Sequence, residues 1–248
     1  IVIYSSKWSA RRKFFREQLI PLLVKAISPS LKYSPYQGLS RMQFERFRLF
    51  GSFDRYHSED QIKGMVGKTA VQISEVHIEE RHRSKDKSDS YTTIFRGVVF
   101  IADFNKHFKC RTVVLPDSAE KLFGKLIGNF LQQMNFSGDG KLVKLENVEF
   151  EKKFAVYSTD QVEARYILTP LLMERLLAVQ TRENAPVRVL FENGNVVFAI
   201  SRSGGWLEPP FSGSFDRLEV IEKNVQDIIN IVKIVEDLDL NTRIWTKQ

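Results

Sequence analysis

The sequence contains one cysteine, Cys110, so neither an internal disulfide nor a metal site with several cysteine ligands can form. Small secreted domains usually depend on disulfides, and a single cysteine therefore favours a reducing, cytosolic compartment.

The motifs that hold phosphates or zinc are also missing. Gly64 and Gly67 stand before Lys68-Thr69, but only two residues separate them, whereas a phosphate-binding loop needs four. His77 and His82 are five apart, which on a strand places them on opposite faces, whereas a zinc-binding helix needs a spacing of four. We therefore predict no cofactor and no metal.

No uninterrupted apolar run approaches the roughly 20 residues of a membrane-spanning helix. The chain nevertheless opens with Ile-Val-Ile-Tyr, and a tryptophan and five basic residues without an acid follow: Lys7, Trp8, Arg11, Arg12, Lys13 and Arg16. Apolar, aromatic and then basic residues are typical of the point where a span enters the cytosol. We expect a transmembrane helix upstream of Ile1 and contact of these six side chains with the membrane surface. The alternative is a frayed terminus of chance composition.

The net charge of +7 is compatible with nucleic acid or an anionic membrane as partner. Beyond residue 16 the charges of both signs are largely mixed, which makes nucleic acid the less favoured partner.

Periodicity predicts an α+β fold with antiparallel sheet, flanking helices and a long C-terminal helix. A juxtamembrane helical segment (1–58), with a helix over 9–27 that Pro21 kinks or breaks, precedes an α+β core (59–248). The core has either one body or two intimate subdomains, a β-rich part (59–116) and an α+β part (117–248). A barrel like that of pleckstrin-homology domains is the alternative for the β-rich part.

Three details of the strands are predicted. Strands cover 62–66, 69–82, 91–102 and 111–115, and the run Val98-Val99-Phe100-Ile101 indicates burial on both faces. Val71 and Ile73 differ in parity from Val76 and Ile78, which a β-bulge near Ser74 or Glu75 would reconcile. Asn193-Gly194 is a preferred hairpin turn and places Phe191 opposite Val196, Val189 opposite Phe198 and Val187 opposite Ile200.

Two helices are predicted after the strands. One covers about 118–134, and the other runs from about 217 to 238 with an apolar stripe at positions 221, 225, 228, 232 and 235, widened by Ile229. Packing on the sheet is the favoured role of that stripe, and self-association is the alternative.

Polar residues follow the apolar strand 91–102, and they include the candidate site residues Asp103, Asn105 and His107. With Cys110 nearby, a hydrolase or transferase with a cysteine nucleophile and a histidine base is conceivable. A polar turn that satisfies local backbone groups is the favoured interpretation, because no third orienting residue is evident.

Glu163, Arg165 and Tyr166 lie on the helix that is predicted to follow Asp160. Such residues commonly form a cap and an ion pair, and a ligand-binding role is the alternative.

Four stretches resemble a bacterial family of uncharacterised proteins, domain-of-unknown-function family 3137: FRGVVFIADFNKHFK (95–109), RTVVLPD (111–117), FEKKFAVYSTDQVEARYILTP (150–170) and LNTRIWT (240–246). Ser34-Pro35 and Asp54-Arg55-Tyr56 extend the resemblance over nearly the whole chain. It implies membrane spans just before this chain and a domain on the cytoplasmic face of the bacterial inner membrane. Cys110 stands where the family leads us to expect glycine or another small residue, which lowers any catalytic role for it, and no catalytic residues are transferred.

Sequence alone thus predicts a non-enzymatic binding or scaffold module for a protein or an anionic lipid. The enzyme using Asp103, His107 and Cys110 is the alternative.

Overall fold

The computed structural model describes residues 2–83, 88–104, 108–117, 140–209 and 218–240, and only the backbone of residues 2–7 and 218. The helix predicted over 118–134 therefore lies outside the described residues.

The described residues form an α+β fold with nine strands in one antiparallel sheet, of order β1-β2-β3-β4-β9-β8-β5-β7-β6. The strands are β1 (Leu31–Ser34), β2 (Arg55–Val66), β3 (Thr69–His82), β4 (Ser90–Asp103), β5 (Thr112–Pro116), β6 (Lys141–Leu142), β7 (Phe154–Ser158), β8 (Val187–Glu192) and β9 (Asn195–Ser201). The sheet is open, with β1 and β6 at its edges, so the barrel alternative is wrong. Strands from before and after residue 116 share this sheet, because β4 pairs with β9.

Helices flank the sheet: α1 (Val2–Phe14), α2 (Ile20–Ile27), α3 (Arg41–Phe47), α4 (Val148–Glu151), α5 (Gln161–Ile167), α6 (Pro170–Glu183), α7 (Leu218–Val232) and α8 (Ile234–Asp237). A π-helical turn over Phe15–Leu19 joins α1 to α2. Ser40 begins α3 with a capping box, in which its hydroxyl accepts from Gln43 N–H and the Gln43 side chain accepts from Ser40 N–H.

Each face of the sheet carries its own hydrophobic core. On the first face the core includes Phe100 and Phe198 and residues of α2, α5, α6, α7 and α8. On the second face Val99, Leu190 and Ala199 pack with residues of α3 and the loop after it. Alternate residues of one strand point to opposite faces, so burial of the run from Val98 to Ile101 on both faces is confirmed.

The two cores explain the change of parity in β3. Val71 and Ile73 belong to the first core, whereas Val76 and Ile78 belong to the second. The β-bulge lies on the facing strand instead of on β3, because the register of β2 shifts between Glu59 and Ile62.

The hairpin of β8 and β9 has the predicted register. Phe191 pairs with Val196, Val189 with Phe198 and Val187 with Ile200. Asn193 and Gly194 both have positive φ, at 51° and 71°, as a type I′ turn requires.

The C-terminal helix differs from the prediction. It is divided into α7 and α8 at Lys233, and its buried positions include Ile228, Ile231 and Ile234, while Ile229 is 36% exposed. The predicted apolar stripe is therefore rotated relative to the buried face. α7 carries apolar residues on two adjacent faces, and their spacing alone does not indicate which face is buried.

We predict that Gly97→Ala strongly destabilises the fold. A Cβ atom at position 97 would lie 2.0 Å from the carbonyl oxygen of Ile200, so β4 and β9 would have to separate where the two parts of the sheet join. The free energy of unfolding in urea should fall by about 3 kcal/mol or more.

Gly204→Ala is the matched control, since a Cβ there meets no atom of the described residues within 4 Å. Equal stability of the two variants would contradict the prediction.

Candidate functional site

The basic N-terminal segment is helical and lies against the sheet. Within it Lys13 is exposed, Arg11 and Arg12 are partly buried, and Arg16 is only 2% exposed. Arg16 therefore points into the protein, and its predicted contact with a membrane surface is wrong. The sequence did not reveal this orientation, because the acidic residues that bind Arg12 and Arg16 are distant from them in sequence.

Pro21 accounts for the π-helical turn. Its nitrogen carries no hydrogen and its ring crowds the carbonyl of the preceding turn, which disrupts regular α-helical bonding just before it. Ile20 N–H accordingly donates to the carbonyl of Phe15, five residues earlier. The predicted break at Pro21 is thus a widened turn, and it holds Phe15 and Arg16 in the interior.

Arg16 is the centre of a buried ion-pair cluster with Glu59 and Asp60. Its guanidinium donates to Asp60 Oδ1 from Nε at 3.1 Å and from a terminal nitrogen at 2.7 Å, and it lies 2.7 Å from Glu59 Oε2. It also donates to the carbonyl of Pro35. The Tyr33 hydroxyl donates to Asp60 Oδ1.

Arg12 extends the cluster to the loop after β9. Its Nε donates to Glu208 Oε2 at 2.9 Å, and a terminal nitrogen lies 3.4 Å from Glu59 Oε1. Two arginines of the N-terminal helical segment thus bind three carboxylates from β2 and from residue 208. The cluster fixes the orientation of this segment relative to the sheet.

The pKa values of the ionisable groups in this cluster are shifted from their ordinary values. Burial raises the pKa of Asp60 to about 7, although the Tyr33 hydroxyl and Arg16 favour the carboxylate. Burial also opposes ionisation of Glu59, but the hydrogen bond and charge of Arg16 outweigh it and lower the pKa of Glu59. For Arg16, burial disfavours the cation, but Asp60, Tyr33 and Glu59 together raise its pKa.

Glu59, Asp60 and Glu208 offer oxygen atoms that lie within 4.8 Å of one another. Three carboxylates at that spacing are compatible with a divalent cation. Arg12 and Arg16 already contact the same carboxylates, and their positive charges would repel a metal ion. The arrangement is therefore a structural ion-pair cluster.

The strand-end candidates do not form a nucleophile site among the described residues. Asp103 is the last residue of β4, and Asn105 and His107 lie outside the described residues. Cys110 is buried, its Sγ lies 3.3 Å from Thr112 Oγ1, and burial raises the pKa of its thiol to about 11. A thiol in this state is not poised for nucleophilic catalysis.

Glu163 has a local structural role. Its carboxylate accepts hydrogen bonds from the backbone N–H groups of Lys109 at 2.9 Å and Cys110 at 2.5 Å. Glu163 thus connects α5 to the segment before β5. Its carboxylate is occupied by two backbone N–H groups that would otherwise need another hydrogen-bond partner.

Arg165 and Tyr166 are exposed on α5. Arg165 donates to the carbonyls of Gln161 and Lys144, both at 3.1 Å. Asp160 caps α5 by accepting from the N–H groups of Val162 and Glu163. None of these bonds brings Arg165 towards the strand-end residues.

We predict that Asp60→Asn changes the pH dependence of stability. The pKa of Asp60 is raised from 3.8 to about 7 by folding, so the folded state binds the extra proton between these values. As pH rises from about 4 to 7, the wild type should lose stability relative to the variant, by up to about 1.4 kcal/mol per pH unit. Above pH 7 the difference should level off in urea unfolding curves.

Glu59→Gln is the matched control with the opposite sign. The pKa of Glu59 is lowered below 4.5, so the wild type should lose stability relative to this variant only as pH falls below that value. A constant difference between wild type and Asp60→Asn over pH 4 to 7 would contradict the prediction.

Comparisons with known proteins give one similar structure and one matching family. The chain resembles, at 11% identity and a TM-score of 0.42, the crystal structure of the mycobacterial trehalose monomycolate transport factor A, TtfA, over 92% of this chain and 94% of that one. Curated proteins provide no match. The family model described as "Protein of unknown function (DUF3137)" matches residues 93–240, more than half of the chain. The chain therefore belongs to the DUF3137 family.

Proposed function

We propose that this chain is a non-enzymatic binding domain of a membrane-anchored protein, and that its N-terminal helix contacts an anionic lipid surface. The observation that carries the proposal is the division of the basic segment into an inward and an outward set. Arg12 and Arg16 bind carboxylates of the domain, whereas Lys13 remains exposed.

The inward set supports a role in attachment. Arg12 and Arg16 are one helical turn apart, so both point to the same side and join the helical segment to β2 and to residue 208. These contacts would give a chain segment that precedes the N-terminal helix a defined orientation relative to the sheet.

The outward set supports a lipid as the partner. The structure leaves Lys13 exposed on the helix, and Lys7 and Arg11 are the other basic residues that the sequence places next to a preceding span. Basic residues next to an anionic leaflet each contribute about 1 kcal/mol, and this contribution falls with salt. A protein partner remains the second candidate, and nucleic acid is less favoured for the mixed charges noted above.

The anchor itself is proposed to lie upstream of this sequence. Among the described helices, none has both the length and the hydrophobicity that crossing a bilayer requires. The order of apolar, aromatic and basic residues from Ile1 to Arg16 supports a preceding span with this domain on the cytoplasmic side.

We predict that removal of two basic charges of the N-terminal segment, Lys7→Gln with Lys13→Gln, weakens binding to vesicles that contain phosphatidylglycerol. Two lost contributions of about 1 kcal/mol each correspond to a roughly 30-fold weaker affinity at low salt. Co-sedimentation with vesicles measures the change.

Lys25→Gln with Lys32→Gln is the matched control, because it removes the same charge from exposed lysines of α2 and β1. Equal binding of the wild type to neutral and anionic vesicles, or equal losses in the two double variants, would reject the lipid proposal.

We predict a cytoplasmic location for Gln248 in the full-length protein. A fusion of alkaline phosphatase after Gln248 should be inactive, since that enzyme requires export, and a green fluorescent protein fusion should be fluorescent. An active phosphatase fusion would show the proposed orientation to be wrong.

A further inference from the structure

Arg188 is a cation on the second face of the sheet. It lies on β8 opposite Ala199 of β9, and the alternation of the strand places it on the same face as Leu190 and Glu192. Leu190 and Ala199 belong to the second core, so Arg188 lies at a mostly apolar surface.

Arg188 has no carboxylate partner among the described residues. Its Nε atom is buried without a hydrogen-bond partner. Glu192 is engaged by Arg111 at 2.9 Å and lies four residues away on the strand, or about 13 Å. The guanidinium instead lies over the ring of Phe50, 4.4 Å from its centroid.

An unpaired cation in this position carries a desolvation cost that no counter-ion offsets when no anion is bound. Burial lowers the pKa of Arg188 to about 10, and no neighbouring charge opposes this effect. A buried charge is ordinarily paired, because desolvation is costly without a counter-ion. The Nε atom is buried, but the side chain as a whole is only partly buried, so an anion from solution has access to it.

Arg188 would be the single cation of the site. Arg111 lies on the same face, but it is paired with Glu192, four residues along the strand from Arg188. The planar fork of an arginine matches the oxygen atoms of a phosphate group.

We propose that Arg188 is the centre of a binding site for a phosphate-type oxyanion, with the ring of Phe50 beneath the guanidinium. The phosphate group is either free or carried by a small ester. The site is independent of the proposed lipid contact, because the N-terminal helical segment packs on the opposite face of the sheet through Phe15, Ile20 and Val24.

The test compares thermal unfolding of the full chain in sodium phosphate and in sodium chloride at equal ionic strength, without vesicles. In wild type, 100 mM phosphate should raise Tm by roughly 3 °C more than chloride, as expected for a site with a Kd of about 10 mM. Arg188→Met should lose this increment and should be at least as stable as the wild type in chloride. Glycerol 3-phosphate in place of inorganic phosphate distinguishes the two sources, since a larger increment assigns the site to an ester and an equal one to the free anion.

Arg111→Met is the control on the same face. It removes a cation that is paired with Glu192 and with the carbonyl of Phe47, so it should lose stability but keep the phosphate increment. If Arg188→Met does not fold, Arg188→Lys keeps the charge without the fork and should show a reduced increment. Equal increments in wild type and the folded Arg188 variant, including none in either, would overturn the proposal.

Discussion

The pairing of Arg16 with Asp60 is the interaction on which the attachment of the N-terminal helical segment depends. Asp60 stands where the register of β2 shifts, and its backbone has a left-handed φ of 54°, which is uncommon for a residue other than glycine. Arg16 stands in the π-helical turn imposed by Pro21. Two local irregularities, one in a strand and one in a helix, thus meet through a single ion pair.

This coupling has a physical reason. A regular α-helix and a regular strand would present their side chains at fixed spacings, whereas the widened turn and the bulge each displace one side chain from its regular position. The displaced side chains are the two that are buried with opposite charge, at 2% and 0% exposure. Each irregularity is therefore stabilised by the hydrogen bonds that Arg16 donates to Asp60 in the interior.

Local sequence patterns predicted the central part of the sheet, because its turn and its burial pattern depend on residues that are close together in sequence. Asn193-Gly194 sets both the turn and the register of β8 and β9, and the apolar run of β4 signals burial on both faces. The change of parity in β3 was visible in the sequence, but its cause was not. Two separate cores explain it, and the second core depends on α3 and the loop after it, which are distant in sequence from β3.

The cluster and the arginine site could not be predicted from the sequence, because their defining contacts are long-range. Asp60 follows Arg16 by 44 residues and Glu208 follows Arg12 by 196, so the run of basic residues gave no sign that Arg12 and Arg16 turn inward. Arg111 contacts Glu192 and the carbonyl of Phe47, whereas Arg188 lies over the ring of Phe50 and no carboxylate of the described residues reaches it. That distinction exists only in the folded sheet. The same residue type therefore stabilises the fold at position 111 and is available to an external anion at position 188.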